Sequence, residues 1–353
     1  HRRTALETEP GLVRFIEERR DRRDSLGLVT IFEPSGSTYS KAGTPMLIDG
    51  EGDFRGMLSG GCLEGDLALR ASNVIESGIP QAVTYDLAED DELWGLGVGC
   101  DGVMQVFLQA LTAANGYEPF QAIATAMQGD RPARLAIVIE SEHPDVPPGA
   151  AAIGVEDRVR GLGLADGLAG RLVQDVRRPA YEQVSLDDHP IGVLMAKIHP
   201  PPRVLVLGAG PDAEPVVRFA SELGWRCTVV DHRDAYIESG GFNAAEKVIC
   251  LPAGELAATL DLSHFQAAVV MSHHLASDRA YLEQLATTDM SYVGLLGPAA
   301  RRDRLLSELG ERGQSLSTRL HGPAGIDIGG RGPAAIALSI VAEVQGVLQG
   351  RIG

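Results

Sequence analysis

The pattern of apolar and polar positions is clearest in residues 203–233. This stretch opens with a continuous apolar run, Val204–Leu207, which suits a parallel strand buried on both faces. A glycine-containing turn follows, and apolar residues then recur at helical spacing. A second apolar run, Cys227–Val230, ends at Asp231. The order of strand, glycine turn, helix, strand and acidic residue predicts the first βαβ unit of a Rossmann-like fold.

The turn between the first strand and the helix has the residues that a nucleotide site needs. Gly208 permits a tight turn, and Gly210 lets a pyrophosphate approach the backbone. Asp231 is placed to accept ribose hydroxyls. Pro211 removes one N–H donor, however, and Asp212 puts a negative charge where a phosphate would lie. The pattern therefore predicts the fold and leaves two alternatives open, a nucleotide site or an empty crevice.

Strands and helices continue to alternate through residues 200–353. This alternation predicts an α/β domain with a Rossmann-like doubly wound parallel sheet. The stiff run Pro200–Pro202 marks the boundary to a first domain, residues 1–199. The later predicted strands and helices are Lys247–Leu251, Ala267–Met271, Ser277–Thr287, Tyr292–Leu296, Ala299–Leu309 and Pro333–Leu348.

The first domain reads as mixed α+β. Its apolar runs are short, and Gly and Pro interrupt them often. Residues 116–199 are the hardest to interpret, because three strands are predicted there without any indication of how they pair. The predicted elements are helices at Leu12–Arg23, near residues 66–77 and at Pro119–Met127, and strands at Leu28–Phe32, Pro45–Asp49, Phe54–Leu58, Ala82–Tyr85, Val103–Leu108, Arg134–Glu140, Tyr181–Ser185 and Ile191–Ile198.

Charge and composition exclude several classes of partner. The formal net charge of −17 argues against nucleic acid and anionic membranes, because both attract positive charge. No apolar run reaches transmembrane length, and residues 1–10 contain no apolar signal region. Because the sequence begins at His1, the natural start of the protein can lie upstream. Four cysteines without a CxxC pair indicate reduced thiols in a cytoplasmic protein.

The four cysteines fall into two groups. Cys227 and Cys250 lie within apolar strands and are predicted to be small core residues. Cys62 and Cys100 each follow a glycine-rich segment. Cys62 stands directly after Gly60-Gly61 at a predicted helix N-terminus, where N–H groups and the helix dipole favour a thiolate or a bound anion.

Two observations keep the cysteine interpretation open. Glu64 and Asp66 follow Cys62 closely, and their charges oppose a lowered thiol pKa. The glycine pairs can also serve only to make tight turns, with both thiols packed locally.

The Ser272-His273-His274 cluster follows a predicted strand, so it falls at the edge of the sheet where ligands of such folds bind. Adjacent side chains of an extended segment point in opposite directions, which argues against a metal site of two histidines. His273 is predicted to face the crevice as a hydrogen-bond donor or proton carrier. The alternative is a pair of loop histidines without a chemical role.

Several motifs together resemble the XdhC/CoxI family, maturation factors for molybdenum hydroxylases such as xanthine dehydrogenase and carbon monoxide dehydrogenase. The motifs occur in the family's order and span nearly the whole chain. The matching segments are Gly36–Gly43, Ser59–Glu64 (SGGCLE), Gly97–Gly102 (GVGCDG), Gly208–Asp231, Tyr292–Gly297 and Gly325–Gly329.

The resemblance implies a cytoplasmic protein, often a homodimer, that binds molybdenum cofactor. It implies that the protein protects the cofactor while a desulfurase supplies the terminal sulfur, and then passes it to the apo-enzyme. On this basis Cys62 is the candidate thiolate toward the metal or its sulfur, with Cys100 beside it. Gly60 and Gly61 would cradle the cofactor's phosphate, and Lys41 would supply a positive charge.

The chain departs from the family pattern at several positions, among them His273-His274, where the family has a paired His-Asp. Ser40 and Pro45 replace two arginines that the first loop usually has, so Lys41 is the only cation of that loop. Losing two arginines is expected to weaken the binding of an anionic cofactor. Pro211 stands where many relatives have histidine. Two rival functions remain: an NAD(P)-dependent oxidoreductase using Asp231 and His273, and a scaffold that holds a partner without any cofactor.

Overall fold

The computed structural model describes residues 10–36, 38–59, 63–87, 102–173 and 180–352. The chain divides into two units, residues 1–200 (unit 1) and residues 201–353 (unit 2). No helix in the described ranges combines the length and the apolar character that spanning a membrane requires.

The first half of unit 1 is built on an antiparallel sheet with a helix packed against each face. Strands and helices occur at nearly the positions that the apolar pattern predicts. Their bounds are α1 (Pro10–Arg22), β1 (Leu26–Ser35), β2 (Pro45–Asp49), β3 (Phe54–Arg55), α2 (Glu64–Ser77), β4 (Gln81–Asp86) and β5 (Val103–Leu111).

Strand β1 is the centre of this sheet, whose order within the described residues is β3-β2-β1-β5-β4. Alternate residues of β1 point to opposite faces, as its pleat requires. Val29 and Ile31 join the core beneath α2, whereas Leu26 and Leu28 join the core that contains α1. Helix α2 ends at Gly78, which adopts the left-handed conformation with φ of 68°.

The second half of unit 1 forms another antiparallel sheet. Its order in the described part of the chain is β8-β7-β6-β10-β9. Leu135, Ile137 and Leu194 of this sheet share one apolar core with strand β1 and helix α1. The bounds are α3 (Phe120–Gln128), β6 (Ala133–Ser141), β7 (Ala151–Val155), β8 (Arg158–Leu162), α4 (Asp166–Val173), β9 (Ala180–Leu186) and β10 (His189–Ile198).

Unit 2 is a parallel sheet with helices on both faces, which confirms the predicted α/β class. Its elements alternate along the chain as expected from the sequence. They are β11 (Arg203–Leu207), α5 (Ala213–Glu222), β12 (Arg226–Asp231), α6 (Asp234–Glu238), β13 (Lys247–Cys250), α7 (Leu256–Thr259), β14 (Ala267–Val270), α8 (Leu275–Leu285), β15 (Tyr292–Leu295), α9 (Ala299–Leu309), α10 (Glu311–Leu316), β16 (Leu320–His321) and α11 (Pro333–Leu348).

The strand order of this sheet, for the described residues, is β13-β12-β11-β14-β15-β16. The direction of winding therefore reverses between β11 and β14, where open α/β sheets bind ligands. Helices α5 and α11 pack on one face through Val216, Val217 and Ile340. Helices α8 and α9 pack on the other through Leu282 and Leu305.

The prediction that both cysteines of unit 2 are core residues is right for one and wrong for the other. Cys227 is buried on β12, and this burial raises the pKa of its thiol to about 12. Cys250 is exposed, because β13 is the edge strand of the sheet and its last residue faces outward.

Candidate functional site

Two of the predicted binding segments have their flanks at one end of the first sheet of unit 1. Ser35, the last residue of β1, pairs with Val103, the first residue of β5. Val103 also pairs with Asp86, the last residue of β4. One step beyond, the N–H of Leu87 donates to the carbonyl oxygen of Gly102 at 2.9 Å. Leu87 and Gly102, the described residues on either side of 88–101, therefore lie beside the end of β1.

The loop after β1 is tied to the segment that precedes α2. The Ser40 hydroxyl donates to the carbonyl oxygen of Met57 at 3.1 Å. The Thr38 hydroxyl donates to the carbonyl oxygen of Ser40 at 3.0 Å. Ser40, which replaces an arginine of the family pattern, thus has a structural role here. Its neighbour Lys41 is exposed on this loop.

The carboxylate of Glu64, the first residue of α2, organises the turn that precedes the helix. It accepts hydrogen bonds from the N–H groups of Leu58 at 3.3 Å, Ser59 at 3.2 Å and Leu63 at 3.1 Å. It also accepts one from the Ser59 hydroxyl at 2.7 Å. Glu64 is 4% exposed, so these donors replace the water that a carboxylate requires. We call this arrangement the Glu64 clasp.

The first turn of α2 is also held against the sheet. The carboxylate of Asp66 accepts from the hydroxyl of Tyr85 and from Nε of Arg70, both at 2.6 Å. Burial acts to raise the pKa of Asp66, but hydrogen bonds from Tyr85 and Arg70 outweigh it and hold this pKa below its ordinary value. Tyr85 lies on β4, so this contact fixes the start of α2 over the end of that strand.

Replacing Tyr85 by phenylalanine is expected to lower the free energy of unfolding by about 1–2 kcal/mol near neutral pH. The hydrogen bond stabilises ionised Asp66, whose pKa is depressed, so its contribution is present above the ordinary pKa and is lost as pH falls through the lowered one. Urea unfolding of both proteins between about pH 6 and about pH 3 measures this loss. The exposed Tyr39 provides the control, Tyr39→Phe. A difference that stays constant with pH would contradict the prediction.

In unit 2, Gly208 adopts a conformation that other residues rarely reach. Its φ is 129°, and its N–H donates to the carbonyl oxygen of Val230 at 2.8 Å. A Cβ added at Gly208 would lie 2.5 Å from the carbonyl oxygen of Met271. Strand β14 is therefore packed directly against the turn that follows β11.

A histidine–aspartate pair lies beside the same turn. Nε2 of His273 is 2.7 Å from Oδ2 of Asp212, and the His273 side chain is 59% exposed. A Cβ added at Gly210 would meet Oδ1 of Asp212 at 2.7 Å and Cδ2 of His273 at 4.0 Å. The pair thus lies at the crevice where a nucleotide phosphate would approach, and His273 is the partner of the Asp212 carboxylate.

The backbone at the histidines differs from the extended segment that was predicted. His273 has a φ of 59°, and His274 is the N-cap of α8. Its Nδ1 accepts from the N–H of Ser277 at 3.3 Å. The described residues contain no group of three or more His, Cys, Asp or Glu side chains placed to hold a metal ion.

Asp231 is fully buried and forms an ion pair with Arg233. Nε of Arg233 donates to Oδ1 at 2.9 Å, and Nη2 donates to Oδ2 at 2.7 Å. Oδ2 also accepts from the N–H of Ala209 at 2.7 Å. Burial acts to raise the pKa of Asp231, but the bonds from Arg233 and Ala209 hold this pKa below its ordinary value. Ribose binding by Asp231 stays a prediction, and it would require this pair to open.

The remaining predicted site residues, Gly60, Gly61, Cys62 and Cys100, lie outside the described residues. Sequence reasoning missed two side chains that shape the sites. Glu64 was considered only as a charge that opposes a thiolate, and Arg233 was not considered. The signal for Arg233 was its position two residues after the acid at the end of β12.

Comparison with known protein families gives two matches. A family model described as the XdhC Rossmann domain matches residues 204–344. A second model, described as the XdhC and CoxI family, matches residues 20–86.

Individual relatives match over most of the chain. A probable xanthine dehydrogenase subunit of Bacillus subtilis is 30% identical over 331 residues, which cover 90% of this chain and 91% of that protein. The molybdenum cofactor insertion chaperone PaoD of Escherichia coli is 21% identical, over 91% of this chain and 82% of that protein. The crystal structure of a xanthine dehydrogenase from Bacillus halodurans is 27% identical, with a TM-score of 0.79 and coverage of 98% and 97%.

Proposed function

The chain belongs to the XdhC and CoxI family, and from that premise we propose that it binds molybdenum cofactor and delivers it to a molybdenum hydroxylase. The observation that carries the proposal is the meeting, at one end of a sheet, of the segments that flank Cys62 and Cys100. The name of PaoD, a molybdenum cofactor insertion chaperone, supports the maturation role. The name of the Bacillus subtilis relative supports a client of the xanthine dehydrogenase type.

The flanking residues approach each other through specific contacts. Leu63 follows Cys62 directly, and its N–H donates to the Ser59 hydroxyl at 2.9 Å and to Glu64. Three residues later, Asp66 bonds to Tyr85, which pairs with Met104 across the sheet. Gly102, two residues after Cys100, lies directly before β5, the strand that contains Met104. We infer that both thiols belong to one site at this end of the sheet.

Two carboxylates lie near this end of the sheet, and each is engaged by hydrogen-bond donors. The Glu64 carboxylate accepts four hydrogen bonds within its clasp, and Asp66 is paired with Arg70. Arg70 therefore compensates the charge of Asp66, whereas Glu64 keeps its negative charge, solvated by the donors of its clasp. Lys41 adds an exposed cation on the neighbouring loop. The cofactor would bring a metal with exchangeable ligands, for which Cys62 is the proposed thiolate, and Cys100 would lie beside it.

Several backbone N–H groups next to Cys62 are already used and cannot also bind the phosphate of the cofactor. The N–H groups of Leu58, Ser59 and Leu63 already donate to the Glu64 clasp. We propose that Gly60 and Gly61 supply the remaining N–H groups to the phosphate. Sulfur supply by a desulfurase and a homodimeric state stay predictions from the family.

Replacing Cys62 by alanine is expected to lower retention of the cofactor at least about tenfold, because a metal–thiolate contact is lost, and Cys100→Ala is expected to lower it as well. The full chain is mixed with isolated molybdenum cofactor, passed through a desalting column and assayed for molybdenum. Cys250→Ala is the matched control, since Cys250 is an exposed cysteine of unit 2. If Cys62→Ala and Cys100→Ala retain as much molybdenum as this control, the site assignment is wrong.

Two outcomes would favour the rival functions. Tight binding of NADH with hydride transfer to a carbonyl compound would favour an oxidoreductase that uses Asp231 and His273. Retention of neither ligand, with capture of a molybdenum hydroxylase apo-enzyme in a pull-down, would favour a scaffold.

A further inference from the structure

The guanidinium of Arg233 spans the crevice of unit 2. Its Nη2 donates to Oδ2 of Asp231 at 2.7 Å and lies 3.4 Å from the carbonyl oxygen of Ser272. Asp231 ends β12 and Ser272 follows β14, and β11 lies between these two strands. Arg233 therefore crosses the carboxyl end of β11, at the point where the winding of the sheet reverses.

Asp231, the acid expected to accept the hydroxyls of a ribose diol, accepts hydrogen bonds from Arg233 instead. Oδ1 of Asp231 accepts from the backbone N–H and from Nε of Arg233, each at 2.9 Å. Oδ2 accepts from Nη2 of Arg233 and from the N–H of Ala209, each at 2.7 Å. With Asp231 fully buried, a ribose hydroxyl could bind it only by displacing one of these donors. This arrangement therefore disfavours a nucleotide that is recognised through a free 2′,3′-diol.

Arg233 itself is held ready for an anion. Its guanidinium packs over the ring of Tyr236, with 3.9 Å between Cζ and the ring centroid. Asp231 and Ser272 engage Nε and Nη2, so the Nη1 group takes part in none of these bonds. The side chain is 29% exposed, so part of it remains accessible to a ligand. An oriented guanidinium is suited to bind phosphate oxygens.

A second, independent observation concerns buried polar groups near Asp231. Asp278 is 1% exposed, bonds to the Ser272 hydroxyl and accepts from Nη2 of Arg301 at 2.5 Å. The Tyr281 hydroxyl is fully buried and, in the described part of the chain, has no hydrogen-bond partner. Burial first, and then the charges of Asp231 and Asp278, raise the pKa of Tyr281. A buried polar group close enough to Asp231 and Asp278 to sense their charges therefore has incomplete bonding in the described residues.

We propose that the crevice of unit 2 binds the 2′-phosphate of an NADP-type nucleotide through Arg233, with Asp231 as its buried counter-ion. The end of the second strand is where this fold places the ribose 2′-position, and an arginine there accommodates a 2′-phosphate. Gly208 and Gly210 shape the adjoining turn. This inference concerns unit 2 and does not depend on cofactor binding at Cys62.

The wild-type full chain tests the proposal directly. Titration with NADPH and NADH, followed by nicotinamide fluorescence, is expected to show tighter binding of NADPH by about tenfold to a hundredfold, the range of one or two charge-assisted hydrogen bonds. Competition should rank 2′,5′-ADP above 5′-AMP by a similar factor. Equal affinity for NADPH and NADH, binding of neither, or displacement by pyrophosphate but not by 2′,5′-ADP would overturn the proposal.

Variants then assign the preference to Arg233. Removing this arginine alone leaves a buried carboxylate unpaired and can unfold the unit. The double substitution Asp231→Asn with Arg233→Gln removes both charges together, and Arg233→Lys keeps the charge without the planar fork. We expect the first to abolish the preference for NADPH and the second to reduce it. Arg218→Gln, on the exposed side of α5, is the control. An unchanged preference in the folded double variant would overturn the assignment.

Discussion

Replacing Glu64 by glutamine is expected to lower the free energy of unfolding of unit 1 by about 3 kcal/mol and to remove retention of the cofactor. The buried carboxylate accepts bonds from the N–H groups of Leu58, Ser59 and Leu63 and from the Ser59 hydroxyl. An amide presents its NH2 group where one carboxylate oxygen was, so at least one donor would face another donor. Ser59 and Leu63, the described neighbours of residues 60–62, would then lose their anchor.

Urea unfolding followed by circular dichroism measures the loss of stability, and the desalting assay for molybdenum measures the loss of retention. Glu76→Gln is the matched control, because Glu76 is an exposed glutamate near the other end of the same helix. It is expected to change the free energy of unfolding by less than about 0.5 kcal/mol. The Glu64 clasp would be disproved as a stabilising feature if both variants unfolded at the same urea concentration.

The second large effect is expected for Gly208→Ala, which should destabilise unit 2 by about 2–5 kcal/mol. A φ of 129° is strained for alanine, and the new Cβ would lie 2.5 Å from the carbonyl oxygen of Met271. The clash involves the backbone of Met271 and Ser272, directly after β14, so a side-chain rotation cannot relieve it. Urea unfolding is again the measurement, and the transition that shifts should differ from the one shifted in Glu64→Gln.

Two other glycines provide the comparison. At Gly210 a new Cβ would crowd the carboxylate of Asp212, which can rotate away, and its 4.0 Å approach to Cδ2 of His273 is an ordinary contact. Gly210→Ala should therefore fold, while its methyl group narrows the approach to the backbone of the turn. A Cβ at Gly254 would have no neighbour within 4 Å, so Gly254→Ala should be neutral. If Gly208→Ala were as stable as these two variants, the close packing of β14 against the turn would be refuted.

The elements of unit 2 could be predicted from sequence because parallel strands buried on both faces are continuous apolar runs. Val204–Leu207 is such a run, and it is β11 almost to the residue. The same signal cannot tell a central strand from an edge strand, since both are apolar. For that reason Cys250 was wrongly placed in the core, whereas Cys227 was placed correctly.

The strand pairing of unit 1 could not be predicted from the sequence, for a different reason. Strand β7 reads AAIGV and lacks the alternation of a half-buried strand, and β8 reads RVRGL. Their hairpin turns at Glu156, which has a φ of 52°, an uncommon conformation for a glutamate. Neither strands nor turn carried a recognisable local signal, so their place in the sheet depends on contacts with distant residues.

The candidate sites were predictable as positions and less so as chemistry. The motifs correctly indicated that Gly208 needs an unusual backbone conformation, because glycine alone tolerates it. They did not indicate that Arg233 would engage Asp231, or that Glu64 would turn back onto the loop that precedes it. Both contacts depend on where a side chain points, which a pattern of residue types does not specify.

The central place of β1 has a consequence for when the protein becomes competent. During synthesis β1 can pair with β2 as soon as Asp49 leaves the ribosome, but its other partner begins only at Val103. Before β5 has been synthesised, the sheet next to the loop at Lys41 and the start of α2 is incomplete. Nascent chains stalled before residue 103 are thus expected to bind no cofactor, whereas chains stalled after residue 200, with unit 1 fully exposed, should capture it.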